Sequence, residues 1–409
     1  MAKNRVEFWG EGHAHSNWSD GYGTLLENAQ IYQDYDHDFH FACDHVWLDV
    51  SPNGDSKPPE AIFRLKHDDI SEYRDEVAAS QNGAYTAIDG LELTWAGADP
   101  ERFGATSRHH VLVRDQLDAL PEAGYFHGVC IADALTELKR RGMHPFLAHV
   151  DDAIPPAHLT GAEISGIEVR HDIERRRNPL ELEAIPMWDR WLANGHRVAL
   201  SAGSDAHQMD LWAASGARNV VLAPVGDRES IRHALLAGKG YVSSTWFDDV
   251  YERLGYPPVV ANAGSFTPWW KLTPTPSRDK RDEVREAMQA LIDATRSEPG
   301  IRTDRSLHPS MRFEIGDASF GDTIEVCEPR ETLVSIMMHV PIETVRIVAD
   351  GEPLFVHEGD GSTPRFEQKL TLDLRGRRAV RVEASGQDRA GHEEFLLGNP
   401  IYIMEQDQD

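Results

Sequence analysis

Histidine is the residue that stands out, with 20 in a chain of 409. Several sit beside an acid at the ends of short apolar strings: His13-Ala14-His15, Asp20, Asp44-His45, Glu92, His149 and Asp205-Ala206-His207. His109-His110 adds a doublet at the start of another string. On an extended segment, side chains two apart share a face. His13 and His15 therefore point the same way, and so do Asp205 and His207. A lone histidine in a strand is more often a hydrogen-bonded core residue than a ligand. This many ionisable groups in apolar surroundings would cost many kcal/mol to bury without a cation. Imidazole and carboxylate in this mixture suit zinc, manganese or iron.

The elements that must position these groups follow from periodicity. Val6-Glu7-Phe8-Trp9 reads as a strand running into Gly10-Glu11-Gly12-His13. Strands at 39–45, 85–93, 110–113, 145–149, 167–169, 198–204 and 220–222 alternate with helical patterns at 25–35, 70–82, 131–141, 186–194 and 228–237. Such alternation argues for βα units around a parallel sheet, whose strand C-termini converge on one face. Residues far apart in sequence can meet there. Gly10, Gly12, Gly21 and Gly23 lack a phosphate-loop spacing and read as turn glycines. No GxSxG string occurs, which disfavours a serine hydrolase.

Beyond about residue 309 the pattern becomes all-β, with alternating runs at 311–315, 333–337, 345–348, 366–374 and 379–384. This reads as a sandwich-like domain of about a hundred residues. The division is therefore 1–245 for the α/β part, 246–308 for a connecting segment with a helix, 309–404 for the β-domain and 405–409 for a tail.

Composition narrows the class. There are 68 acidic residues against 41 basic ones, a formal charge of −27. That field repels nucleic acid and anionic membranes, so neither is an expected partner. Bound cations would reverse it locally, which keeps a small anionic molecule in view as substrate. Three scattered cysteines form no disulfide framework and fit a reducing compartment. With no apolar run of membrane-spanning length and no apolar leader, a soluble cytoplasmic protein is expected. Nothing in the sequence specifies an oligomeric state.

Taken in order, His13, His15, Asp20, His45, Glu92, His110, His149, Asp205 and His207 resemble the ligand series of the PHP (polymerase and histidinol phosphatase) superfamily. The likeness spans residues 5–245, and its motifs are specific because nine positions match in order. Ala42-Cys43-Asp44 departs from it, since threonine is usual before the Asp. The strings at 8–21, 234–242 and 399–403 further resemble the branch that includes carbaryl-hydrolase-like metallohydrolases. The resemblance implies a distorted (βα)7 barrel, here followed by the β-domain, and a trinuclear site. In that scheme one metal takes His13, His15, Glu92 and Asp205. A second shares Glu92 and adds His110 and His149, with His109 as the rival to His110. A third takes Asp20, His45 and His207. No catalytic residue is implied beyond a metal-bridging hydroxide.

Weaker candidates surround that set. Asp44 either orients His45 or a neighbouring ligand, or is a turn aspartate. Glu168 stands at a strand end where it can support a ligand. Arg108, Arg170 and His171 either hold a substrate anion or form surface ion pairs. Trp47 is a pocket wall or an ordinary packed aromatic. Three functions stay open: hydrolysis of a phosphate mono- or diester, hydrolysis of a carbamate, ester or amide by the same metals, and a non-catalytic metal-stabilised binding protein.

Overall fold

The structure is a computed structural model. It describes residues 5–19, 21, 23–34, 37–47, 65, 69–81, 83, 85–96, 108–122, 125–126, 129–148, 159–170, 184–206, 218–245, 309–387 and 393–404. The connecting segment 246–308 and the tail 405–409 lie outside the described residues.

In chain order the elements of the first part are β1 (Val6–Ala14), α1 (Leu25–Asp34), β2 (Phe39–Ala42), β3 (His45–Trp47), α2 (Ile70–Ala79), β4 (Thr86–Asp89), β5 (Leu91–Ala96), β6 (Arg108–Val113), α3 (Ile131–Arg140), β7 (Phe146–Leu147), β8 (Gly166–Arg170), α4 (Ala184–Ala193), β9 (Ala199–Gly203), β10 (Arg218–Ala223), α5 (Arg228–Leu236) and β11 (Gly240–Thr245). The remainder is β12 (Ser310–Ile315), β13 (Thr323–Glu325), β14 (Arg330–Met337), β15 (Ile342–Ala349), β16 (Glu352–Glu358), β17 (Arg365–Leu372), β18 (Ala379–Gln387), β19 (Glu393–Gly398) and β20 (Ile401–Met404). None of the described helices is long and apolar enough to cross a membrane.

Local sequence sets the helix ends. Thr24 and Glu27 form a reciprocal capping box, Glu27 Oε2 accepting from the Thr24 amide at 2.8 Å while Thr24 Oγ1 accepts from the Glu27 amide at 3.2 Å. Asp227 caps α5 by accepting from the Ser230 amide at 2.8 Å. Helix α3 buries Ile131, Ala134, Leu135 and Leu138, one stripe at helical spacing.

The first part is a mixed sheet system rather than an all-parallel one. Parallel pairs join β1 to β2, β2 to β4, β3 to β5, β7 to β8 and β8 to β9. Antiparallel pairs join β1 to β10, β5 to β6 and β6 to β7. For β5 and β6 the reason is length. The link 97–107 is shorter than the dozen or so residues a parallel crossover needs. Strands β2 and β3 follow one another across Cys43-Asp44, and β4 and β5 across Gly90, so the two sheets meet along these breaks.

The β-rich part is not a detached unit. Strand β19 pairs antiparallel with β11, so one eleven-stranded sheet runs from β13 through β20, β18, β19, β11, β10, β1 and β2 to β4, with β15 and β16 branching from β18. A second sheet, β12-β14-β17, faces it. Met311, Phe313, Val334 and Ile336 from one sheet share a core with Val345, Ile347, Val382 and Leu396 from the other. Strands β13, β16, β19 and β20 are additions to the strands read from the sequence. Ion pairs also bridge the two parts. Buried Arg381 donates to Asp189 at 2.8 and 2.9 Å and pairs with Glu383. Asp322 accepts from Lys239 at 2.7 Å and lies 3.3 Å from Arg5. Burial pushes the Asp322 carboxyl up, but Lys239, the Ser319 amide and Arg5 together hold it below its usual 3.8.

Gly10 and Gly12 are not turn residues. Both lie inside β1, where neighbouring backbone leaves no room for a side chain. A Cβ on Gly10 would lie 2.4 Å from the Phe39 carbonyl oxygen, and one on Gly12 would lie 2.1 Å from that of Ala202. Both obstacles are backbone, so Gly12→Ala is expected to destabilise the chain by about 3 kcal/mol. Urea unfolding tests this, and an unchanged midpoint would show that β1 and β9 can slide apart.

Candidate metal centre

Four strand ends bring the chemistry together. The Cys43 amide donates to the Ala14 carbonyl at 2.8 Å, the Gly90 amide to that of Ala42 at 2.8 Å and the Glu92 amide to that of Asp44 at 3.1 Å. His45 and Glu92 are register partners. On the other side, Ala14 bridges Ala206 in parallel, and the His15 amide donates to the Ala206 carbonyl at 2.9 Å. Asp205 makes that approach in a left-handed conformation, φ 53°, which aspartate tolerates better than most residues.

His13, His15, Glu92 and Asp205 are buried together, each with one ligand atom within 4.8 Å of the others. His13 Nε2 is 3.0 Å from His15 Nε2, 3.2 Å from Glu92 Oε2 and 3.5 Å from Asp205 Oδ1. His15 Nε2 is 2.8 Å from Asp205 Oδ1 and 3.3 Å from Glu92 Oε2. A tetrahedral ion with bonds of about 2.0–2.1 Å needs ligand atoms about 3.3 Å apart. The donor set fits such an ion. A second group, His45, Glu92 and His110, adjoins the first. His45 Nδ1 lies 3.2 Å from Glu92 Oε2, and His110 Nδ1 lies 2.6 Å from Glu92 Oε1. Glu92 thus offers one oxygen to His13, His15 and His45 and the other to His110, the arrangement of a bridging carboxylate. The resemblance grouped His45 with Asp20 and His207, which lie outside the described residues; the β3–β5 register sets His45 beside Glu92.

The supporting hydrogen bonds fix the rings. His13 Nδ1 is 3.0 Å from Glu168 Oε2 and donates to it, which leaves Nε2 facing the centre. Ser19 Oγ donates to Asp44 Oδ1 at 2.6 Å, so it accepts from His15 Nδ1 at 3.3 Å. Asp44 also accepts from Ser16 Oγ and the Ser16 amide, both at 2.7 Å. Asp44 therefore acts on His15 through Ser19, whereas Thr94 Oγ1 lies 3.0 Å from the same His45 Nδ1 that faces Glu92.

Fully buried Arg114 holds the far side of Glu168. It donates to Glu168 Oε1 at 3.3 Å, to the Gly12 carbonyl at 2.9 and 3.1 Å and to Ser201 Oγ at 3.3 Å. Its guanidinium lies 5.5 Å from the Phe41 ring centre and 5.1 Å from that of Phe146. Sequence reasoning passed over Arg114, Ser19, Thr94 and Glu11. A charged residue directly after the apolar run Val111-Leu112-Val113 was the available signal for Arg114. Burial pushes the Glu11 carboxyl up to about 7.

His110 shares its face of the sheet with Thr94 and Glu92, since His110 pairs with Thr94 in the β5–β6 register. The backbones of Arg108, His109 and Arg170 lie in β6 and β8, and their side chains lie outside the described residues. So does the side chain of Trp47. Asp20, His149, His171 and His207 lie outside the described residues altogether.

Without an ion, protons hold the cluster. Burial lowers the His13 imidazole, but Glu168, Glu92 and Asp205 outweigh it and raise it to about 10. Burial likewise raises Glu92, but His45, His110 and His13 hold it well below the usual range. The sign for His13 is that of a raised base. Its stabilisation of the metal-free chain is complete below 6.5 and is lost as pH rises through about 10. Loading an ion at pH 7 must displace that proton, so uptake is expected to release about one proton per chain. Calorimetric titration in buffers of different ionisation enthalpy reads this directly, and proton-neutral uptake would contradict it.

No family model matches the chain, and no curated protein matches it significantly. Among solved structures the chain is similar to a two-domain protein containing a predicted PHP-like metal-dependent phosphoesterase from Bacteroides vulgatus ATCC 8482. The two are 12% identical, with 98% of this chain and 95% of that one covered and a TM-score of 0.40. It is also similar to an amidohydrolase from Chromobacterium violaceum with bound sulfate and no metal. There the identity is 14%, 49% of this chain and 87% of that one are covered, and the TM-score is 0.30. Likenesses this distant carry no weight for fold or chemistry, which rest here on the residues themselves.

Proposed function

We propose that the chain is a metal-dependent hydrolase of the PHP type that acts on phosphate esters. The observation that carries the hydrolase reading is the buried convergence of His13, His15, Glu92 and Asp205 at the spacing of ion ligands. The phosphoester reading rests on the ordered sequence resemblance. His13, His15, Glu92 and Asp205 would hold one ion. Glu92, His110 and His45 would hold a second together with His149, and Asp20 and His207 would complete a trinuclear centre. We read the two sheets of the first part, joined at Cys43-Asp44 and Gly90, as one distorted (βα)7 barrel carrying that centre. The ions would be zinc, manganese or iron.

Bound, they would supply Lewis acidity and a water whose pKa is lowered toward neutrality. The chain's own residues set the conditions for this. Glu168 and Ser19 keep the Nε2 atoms of His13 and His15 aimed inward, and burial excludes bulk water. Arg108, Arg170 and His171 would receive the anionic part of a small substrate. The free cysteines Cys43, Cys130 and Cys327 are compatible with work in a reducing cytoplasm.

Elemental analysis of protein purified without chelator or nickel tests the centre first. About three transition-metal ions per chain support the trinuclear reading. Little metal, with no uptake from added zinc or manganese, sinks it. A panel of phosphomonoester, phosphodiester, aryl ester and aryl carbamate then tests the bond. Carbamate or ester turnover without phosphoester turnover would move the activity to the carbaryl-hydrolase-like branch. Full loading with no turnover of any of them would leave a metal-stabilised binding protein.

A further inference from the structure

Strand β9 delivers Asp205 to the metal centre, yet among the described residues only one of its edges has a strand partner. Its residues 199, 201 and 203 face β8. Leu200, Ala202 and Ser204 turn their backbone groups the other way, toward β1, β10 and β11. Buried backbone groups need partners. Here three side chains supply them as successive rungs. Asn399 Oδ1 accepts from the Leu200 amide at 2.7 Å, and its Nδ2 donates to the Leu200 carbonyl at 3.1 Å. Asn219 Oδ1 accepts from the Ala202 amide at 2.9 Å, and its Nδ2 donates to the Ala202 carbonyl at 2.7 Å. Glu11 Oε1 accepts from the Ser204 amide at 2.9 Å. All three side chains are buried.

A primary amide offers an acceptor and, on its NH2, a donor beside it in one plane, the same pair a neighbouring strand residue presents. Each asparagine therefore stands in for a strand residue. Glycines clear the way for both. A Cβ on Gly12 would lie 2.6 Å from Asn219 Nδ2, and one on Gly238, at φ +64°, would lie 2.8 Å from Asn399 Oδ1. Asn399 is itself tied down, its amide donating to the Gly240 carbonyl at 3.2 Å. Glu11 and Asn219 come from the first part of the chain. Asn399 comes from the turn between β19 and β20, which makes it the rung contributed by the β-rich part.

We propose that Asn399 is a positioning residue of the metal centre. Through this amide the β-rich part supplies the first rung along the edge of β9, at Leu200, and Asn219 and Glu11 continue that edge to the end that carries Asp205. The proposal rests on the reading of the buried cluster as a metal centre.

The test compares Asn399→Ala with Phe313→Ala in the full chain. Phe313 is buried between the two sheets of the β-rich part, and its loss destabilises that part without touching β9. Two quantities are read: hydrogen exchange of peptides covering β9, and the absorption-monitored affinity of chelator-stripped protein for cobalt. Asn399→Ala is expected to speed exchange at β9 and to weaken cobalt binding by up to about 10-fold, the low end of the range for groups bonded directly to a ligand, because Asn399 acts on Asp205 only along the strand. Phe313→Ala should leave both close to wild type. Should Asn399→Ala not fold, Asn399→Asp keeps the acceptor for the Leu200 amide and loses the donor, and the same shifts are expected. Wild-type exchange and affinity in the Asn399 variant overturn the proposal. Equal shifts in Phe313→Ala overturn it too, because the coupling is then general instability. A wild type that takes up no cobalt sinks the metal reading and the positioning role with it, while exchange at β9 still scores the rung.

Discussion

Asp205→Asn should lose about a thousandfold or more in hydrolase activity while the chain stays folded. The substitution keeps size and shape, and asparagine, like aspartate, tolerates the left-handed conformation at φ 53°. What it removes is the anionic oxygen that lies 2.8 Å from His15 Nε2 and 3.5 Å from His13 Nε2. Lewis-acid stabilisation is worth several kcal/mol, and about 4 kcal/mol corresponds to a thousandfold in rate. Asp205→Ala is the less clean variant, because alanine adds backbone strain at positive φ and should lower the melting temperature as well. The check is kcat and metal content on the same sample, with circular dichroism for folding. Full activity in the asparagine variant would remove Asp205 from the site.

Arg114→Met is expected to cost about 3–5 kcal/mol of folding stability, the usual penalty for breaking a buried charge pair. The loss comes from the groups left behind. Glu168 would remain fully buried beside His13 but without the guanidinium, and the Gly12 carbonyl would lose two donors. Arg114→Lys should rescue little, because one ammonium cannot span Gly12, Ser201 and Glu168 as the planar guanidinium does. Removing both charges, as Arg114→Met with Glu168→Gln, should recover part of the loss. Urea unfolding of the single and double variants decides this, and a loss under about 1 kcal/mol in Arg114→Met would mean that water or a rearranged loop solvates Glu168.

Strand alternation made part of the site legible in the sequence. His13 and His15 share a face because they are two apart, and Glu92 lies in the run 85–93 that was read as one strand and is two, β4 and β5, broken at Gly90. Helix α1 was legible from its pattern at 25–35, although its capping pair Thr24 and Glu27 was not singled out. The features that escaped the sequence depend on contacts between distant segments. The antiparallel setting of β6 is a matter of pairing, which alternation does not encode. Gly10 and Gly12 read as turn residues because a glycine forced by a neighbouring carbonyl looks like any other. Arg114, Asn219 and Asn399 act on segments far from their own, and a single asparagine or arginine has no periodicity to betray it. Asn399 lay in a noticed string, Asn399-Pro400-Ile401-Tyr402-Ile403, but the string did not say what it touches.

The pairing of β11 with β19, and the amide that Asn399 sends to β9, set a schedule for the growing chain. Asp205 leaves the ribosome long before the residues that complete its strand. At synthesis rates of about 5–20 residues per second, the interval to Asn399 is on the order of 10–40 s. Through that time the nascent first half exposes the edges of both β9 and β11. Long-range pairing of this kind is slow to form and open to association meanwhile. Metal acquisition is accordingly expected to be a late event that comes after translation, and a nascent chain stalled before residue 393 should hold its ions weakly if at all.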